Sequence, residues 1–275
     1  MGLTSIPRYN HLFFKRAHQS AMVLQLYGST QSTCTKRVAV VLYEKQIPYE
    51  FHEIDWTKNE HKSPEYLEKQ VFGQVPYIVD DGFLLFESRA ICRYLAFKYA
   101  DKGPRLIPVS DDLKAIALFE QGASIEQANF DVFAAKAVLG VLSKKMRGLA
   151  PDAELFTSLI EQLDTKLKAY EVILGKQKYI GGDELSVADL FHLPYGALLA
   201  PCGSNILSKQ GPNVTRWWND ISSRPAWKTV EDGVPLKPTF QIARLPLRLY
   251  RGTIIILYIC IRWNLQLREA AKLPT

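Results

Sequence analysis

The sequence predicts two domains of different class. An α/β domain of order β-α-β-α-β-β-α covers residues 22–101, and an all-α domain covers residues 111–235. Short apolar runs of strand length alternate with helically spaced segments in the first part. No strand pattern occurs between Asp111 and Pro235. Residues 102–110 (KGPRLIPVS), between them, concentrate Pro and Gly and read as a linker.

The elements follow in order. Val23–Tyr27 is a short apolar run, read as a strand, and a polar loop from Gly28 to Thr33 follows it. Lys36–Gln46 sets Val38, Val41 and Leu42 at helical spacing, and Pro48 ends that helix. Tyr49–Ile54 alternates Tyr, Phe and Ile with Glu and His, as a half-buried strand does. Ser63-Pro64 opens a short helix, because Pro suits the first helical position. Gly73–Val79 is a loop running into a strand, and Asp81-Gly82 is a two-residue hairpin turn before the returning strand Phe83–Phe86. Glu87-Ser88 opens a helix through Tyr99, with Ile91, Leu95 and Lys98 on its spacing. This order fits a thioredoxin-like sheet: two parallel strands and an antiparallel hairpin, covered by helices.

The second domain reads as long helices over 111–146 and 152–174, shorter ones over 187–200 and 212–222, and a last turn near 224–232. Ser186-Val187-Ala188-Asp189 has the spacing of a capping box, with Leu185 and Leu190 at staple positions; its role is structural. Asn213-Val214-Thr215 is a glycosylation sequon without a preceding signal peptide and is read as unused.

Charge excludes one class of function. The formal net charge is +6, but residues 1–21 carry +3 and residues 234–275 carry +6, which leaves −3 on the body. A slightly acidic body with basic ends is not a nucleic-acid-binding domain. Four scattered cysteines, Cys34, Cys92, Cys202 and Cys260, form no CxxC pair and no Cys/His cluster. That argues against a disulfide scaffold and a structural zinc, expects no metal, and fits a reducing compartment. The acid-free leader 1–21 reads as disordered, or as preceding a natural start at Met22; its basic composition also suits a mitochondrial presequence. In the tail 236–275, Thr253–Ile261 is apolar for nine residues, too short for the ~20 of a membrane-spanning helix. The tail is expected to be dispensable.

Three loop motifs carry candidate chemistry. In Gly28–Val38 (GSTQSTCTKRV), hydroxyls and Cys34 precede a helix N-terminus, whose unpaired N–H groups favour anions. Gln74-Val75-Pro76 opens a strand; a cis Pro76 would leave the N–H and C=O of Val75 free for an extended peptide. Glu87-Ser88 offers a carboxylate for an ammonium group and a hydroxyl for a carboxylate. Each alone is a cap or a turn.

Together these stretches resemble the glutathione site of the cytosolic glutathione transferases. The resemblance covers residues 22–233 through YGSTQSTCTKRV, EHKSPEYL, FGQVPYIVDDG, FESRAICRYLAFKY, GDELSVADLFHLPY and RWWNDISSRPAW. The combination of EHK, FGQVP and FESRAI is most similar to the phi class of plants and fungi. The resemblance implies that the first domain binds glutathione and that the helical domain receives a small hydrophobic electrophile, in a cytoplasmic homodimer. It makes Ser32 the catalytic hydroxyl and puts His61 and Lys62 at the glycine end. Gln74 and Val75 hold the cysteinyl backbone, Pro76 is the cis-proline, and Glu87 and Ser88 hold the γ-glutamyl group. Phe119, Phe130 and Phe133 are candidates for the electrophile site.

The implied mechanism is thiolate stabilisation. A free thiol has a pKa of about 8.5, and a hydroxyl donating to sulfur beside a helix N-terminus lowers it. Glutathione is a cosubstrate, and no other cofactor is expected. No base stands ready to make Ser32 a nucleophile, and His52 and His61 read as solvated. Cys34, two residues beyond Ser32, keeps open a glutathione-dependent thiol transferase or peroxidase. Thr33 is a second candidate hydroxyl. A non-catalytic carrier or regulatory domain is the remaining alternative.

Overall fold

The computed structural model describes residues 23–109, 111–238 and 240. The expectations for the leader, and for the tail beyond Phe240, lie outside the described residues.

The first domain has the expected order: β1 (Leu24–Gly28), α1 (Thr33–Glu44), β2 (Tyr49–Glu53), α2 (Pro64–Leu67), β3 (Tyr77–Asp80), β4 (Phe83–Phe86) and α3 (Ser88–Lys98). A 3-10 turn at Glu60–Lys62, not legible from spacing, precedes α2. The sheet order is β2-β1-β3-β4. β1 and β2 are parallel; β1 with β3 and β3 with β4 are antiparallel. The register sets Gly28 beside Glu53, Tyr27 beside Tyr77 and Tyr77 beside Phe86. One end of the sheet therefore receives the loop after β1, the loop after β2, the approach to β3 and the exit from β4. All the motif loops singled out in the sequence lie at that end.

Helix α1 starts three residues earlier than its apolar spacing suggests, because Ser32 caps it. Val38 to Leu42 are buried without a break, since α1 is enclosed between the sheet and the helical domain. A helix buried all round cannot show a one-sided apolar stripe.

The helical domain comprises α4 (Leu113–Ile125), α5 (Val132–Met146), α6 (Ala153–Leu174), α7 (Val187–Leu190), α8 (Leu193–Leu199), α9 (Ile206–Lys209), α10 (Pro212–Ser222) and α11 (Pro225–Val230). Two patterns read as continuous helices are interrupted. A π-helical segment, Glu126–Asp131, separates α4 from α5. A turn at Phe191-His192 separates α7 from α8. The short α9 was not foreseen. Helix α6 buries Leu159, Leu163, Leu167, Tyr170 and Leu174, spaced three or four apart. Each such aliphatic side chain contributes about 1.5–3 kcal/mol on burial, and truncating Leu163 to Ala costs roughly 2–5 kcal/mol.

The capping box forms as its spacing predicts. Asp189 Oδ2 accepts from the Ser186 N–H and from the Ser186 hydroxyl, both at 3.0 Å. Its Oδ1 accepts from Ile180 N–H and from the Trp217 indole N–H, both at 2.9 Å. The sequon asparagine is occupied: Asn213 Nδ2 donates to Glu171 Oε1 at 2.7 Å at the start of α10.

The domains are joined by named bonds. Arg224 grips Glu44 through Nε at 2.5 Å and Nη2 at 2.8 Å. The Val187 N–H donates to the Leu106 carbonyl at 2.9 Å. Packing also continues past the boundary expected at 235. Phe240 meets Tyr43 and Tyr49 at ring-centroid distances of 5.3 and 6.1 Å.

Candidate active site

The loop after β1 is a closed turn. The Ser32 N–H donates to the Ser29 carbonyl at 3.1 Å, and Ser32 Oγ accepts from the Thr35 N–H at 3.3 Å. Capping engages an oxygen lone pair and leaves the hydroxyl hydrogen free to donate. No acidic residue lies in the first turn of α1, so the positive end of its dipole is unopposed there. Among the described residues no imidazole or carboxylate bonds to Ser32 Oγ, as a nucleophilic serine would need.

The EHK stretch follows β2. His61 is only 6% exposed, so the solvated histidine read from its polar surroundings is corrected. The Trp56 ring covers it at 3.9 Å, and burial, with Lys62 nearby, lowers its pKa. Its Nδ1 is buried without a hydrogen-bond partner. An unpaired acceptor is tolerated better than an unpaired N–H, so the proton belongs on Nε2, which can donate. The Lys62 ammonium donates to the Phe72 and Gly73 carbonyls at 3.1 and 2.9 Å. Its third proton remains available.

At β3 the Val75–Pro76 peptide bond is cis. The backbone N–H and C=O of Val75 have no partner among the described residues. The Gln74 side chain is exposed and makes no hydrogen bond. Its backbone is held by Gln70, which accepts at 3.2 Å, and by the Tyr66 hydroxyl, which donates at 2.6 Å.

At the exit from β4, Glu87 has φ 72° and ψ 104°, a conformation that L-residues avoid at a cost of about 1–3 kcal/mol. Its carboxylate is exposed and unpaired. Ser88, at the first position of α3, is buried, and its hydroxyl accepts from Arg37 Nη1 at 3.0 Å.

Arg37 was missed by motif reading, although a charge beside the apolar run Val38–Leu42 was its signal. The guanidinium is 1% exposed. It also donates to the Phe191 carbonyl at 3.3 Å, to Cys34 Sγ at 3.5 Å and to Asp131 Oδ1 at 3.3 Å. Arg89 pairs with Glu126 through two contacts of 2.8 Å and with Asp131 at 2.9 Å. The wider turn of the π-helical segment brings Glu126 and Asp131 to this side together. The buried Tyr195 lies here as well. Burial raises its pKa, as does Cys34 beside it, while the Thr33 side chain and Arg37 oppose the shift.

The aromatic candidates separate. Phe130 is fully buried with its ring 4.7 Å from His192, so it presents no face to a substrate; a π-helical turn directs it into the core. Phe119 is buried under Arg93 and lines a cavity of about 500 Å³ between Arg105–Val109, α4 and residues 176–186. None of Ser32, Gln74, Glu87 or Ser88 lines that cavity. Phe133 is half-buried against the core.

A domain of this element and strand order followed by an all-helical domain defines a thioredoxin-like fold joined to a helical domain. The family model for the glutathione S-transferase N-terminal domain matches residues 22–97, and that for the C-terminal domain matches residues 131–225. The chain is 44% identical to glutathione S-transferase hmp2 of Hypomyces subiculosus over 207 residues, 75% of this chain and 96% of that protein. The structure of glutathione transferase F7 from Populus trichocarpa aligns at TM-score 0.72 and 40% identity, covering 76% of this chain and 98% of the other. A structure of glutathione S-transferase-I bound with the ligand lactoylglutathione aligns at TM-score 0.72 and 33% identity, covering 77% and 99%. The chain belongs to the glutathione S-transferase family, and its relatives are of the phi class, as the motifs implied.

Proposed function

We propose that this chain transfers glutathione to small hydrophobic electrophiles. The observation that carries the reading is the set of unused hydrogen-bonding groups at one sheet end. They are the Ser32 O–H, the Val75 N–H and C=O, the Gln74 amide and the Glu87 carboxylate. A tripeptide fits them as an added strand: Val75 pairs with the cysteinyl backbone, as β-augmentation does. Glu87 takes the γ-glutamyl ammonium and Ser88 its carboxylate; His61 and Lys62 take the glycine carboxylate.

The chemistry follows from Ser32. Its hydroxyl donates to the sulfur and stabilises the thiolate while the thiol proton leaves to solvent. A shift of two units in thiol pKa corresponds to about 2.7 kcal/mol and makes thiolate the major species near neutrality. The sulfur lone pair then forms a carbon–sulfur bond, and the leaving group departs with its electron pair. These steps call on no further cofactor. No helix among the described residues is long and apolar enough to cross a membrane. The reading includes a cytoplasmic homodimer, domain limits at 22–101 and 111–235, and an electrophile site beside Phe133.

A second reading is favoured by one contact. The Arg37 guanidinium on Cys34 Sγ sets a cation against a half-buried thiol next to Ser32, which suits a glutathione-dependent thiol transferase.

Glutathione conjugation to chlorodinitrobenzene separates the two. Ser32→Ala is expected to lower kcat by about 100-fold or more, the loss typical of removing one donor from a developing anion, while Cys34→Ser retains activity. Loss in Cys34→Ser with disulfide reduction by the wild type establishes the thiol transferase. Binding of glutathione without turnover establishes a carrier.

A further inference from the structure

The segment after α11 crosses back over the turn that carries Ser32. The Val234 N–H donates to the Thr30 carbonyl at 2.9 Å. Gln31 Nε2 donates to the Asp232 carbonyl at 3.0 Å. On the next turn of α1, the buried Lys36 ammonium donates to the Glu231 carbonyl at 2.8 Å. Thr30 and Gln31 are the two central residues of the turn closed by Ser29 and Ser32. On the opposite side, the Thr30 N–H meets the Glu53 carboxylate at 3.1 and 3.2 Å. The turn is thus gripped from two directions, by β2 and by the last part of the helical domain.

The crossing segment is itself anchored. Trp227, Val230 and Val234 are buried, and the Arg224–Glu44 pair fixes the start of α11 on α1. Gly233 has φ +155°, and a Cβ there would stand 2.9 Å from Gln31 Nε2. That φ is one L side chains rarely adopt, so the backbone course of the strap at 233 depends on glycine.

We propose that residues 231–234 form a strap that positions the Ser32 hydroxyl against the thiol of glutathione, with Gln31 as the positioning residue that connects strap to turn. The proposal rests on the transferase reading given above. Without the strap, the Ser29–Ser32 bond and the helix cap still form, so α1 persists. What is lost is the location of the turn relative to the sheet end that holds the peptide. An ångström of misplacement at a reacting group costs up to about 100-fold in rate.

The test compares wild type, Ser32→Ala, Gln31→Met and Gly233→Ala in the full chain, with glutathione and chlorodinitrobenzene. Gln31→Met keeps the side-chain length and removes the donor. It is expected to lower kcat by about three- to tenfold, a fraction of the ångström-scale penalty. The midpoint of the kcat–pH profile should rise by roughly half a unit, because that profile reports the thiol of the bound complex. KM for glutathione should change by about twofold or less, since uniform binding is untouched. Gly233→Ala should move kcat and the midpoint in the same direction. Unchanged kcat and midpoint in Gln31→Met, with Ser32→Ala inactive, overturns the strap. So does a fall in kcat with no shift of the midpoint, which a merely structural contact would give. Full activity in Ser32→Ala overturns the transferase reading instead.

Discussion

Two helix N-termini in this molecule use the same kinds of residue to opposite ends. At the start of α7, Ser186 and Asp189 close on each other, and the buried carboxylate accepts four hydrogen bonds from within the protein. At the start of α3, Glu87 and Ser88 form the same sort of polar pair, yet the Glu87 carboxylate is exposed and unpaired and its backbone sits at φ 72°. A saturated polar centre holds a fold together, because any loss leaves buried donors without partners. An unsaturated one on strained backbone is available to a ligand. Residue type at a helix start does not separate the two; what surrounds it does.

The contrast breaks most visibly at Asp189. Asp189→Ala strands the Ile180, Ser186 and Trp217 donors and is expected to cost about 3–5 kcal/mol, read as the loss of folded protein in urea. Next in size is a pH effect in the same centre. Burial depresses the pKa of His192 to about 3, and its ring is held by Ala188, Asp189 and Tyr170. The unfolded chain binds this proton below about 6.5 and the folded chain does not. Stability is therefore full above that pH and falls as pH drops towards 3. Between pH 6.5 and 5 the loss from this group is about 2 kcal/mol. Urea titrations at the two pH values should give a smaller difference in His192→Gln than in the wild type.

At the other helix start, Glu87→Gln should raise KM for glutathione by roughly tenfold, the equivalent of about 1.4 kcal/mol, with unfolding unchanged. Glu87→Gly should weaken binding similarly and gain about 1 kcal/mol of stability as the backbone strain is relieved. The smallest effect belongs to Ser186→Ala, about 1 kcal/mol of stability, with KM and kcat as in the wild type. A change in KM there, or none in Glu87→Gln, would erase the distinction between the two sites.

Much of the polar half of the candidate site was legible. Ser32, Gln74, Val75, Glu87 and Ser88 lie in short stretches whose local chemistry (a cap, a proline turn, a helix start) is written in adjacent residues, and strand order and direction place those stretches at one sheet end. The pairing of Arg37 with Asp131 was not legible, because it links positions 94 residues apart. Phe130 was misjudged for a related reason. An aromatic at helical spacing serves a pocket or a core equally well, and the π-helical segment that turns it inward carries no sequence signal. His61 was misread because its cover, Trp56, comes from the loop.

The two-domain architecture, the element order of the α/β domain and the capping box are written in local sequence, since each depends on residues within a few positions of one another. Which caps are saturated, where Arg37 meets Asp131 and how the segment after α11 grips the Ser32 turn emerge only on packing. Those outcomes depend on which distant groups desolvate one another, and desolvation is a property of the packed molecule rather than of any local stretch.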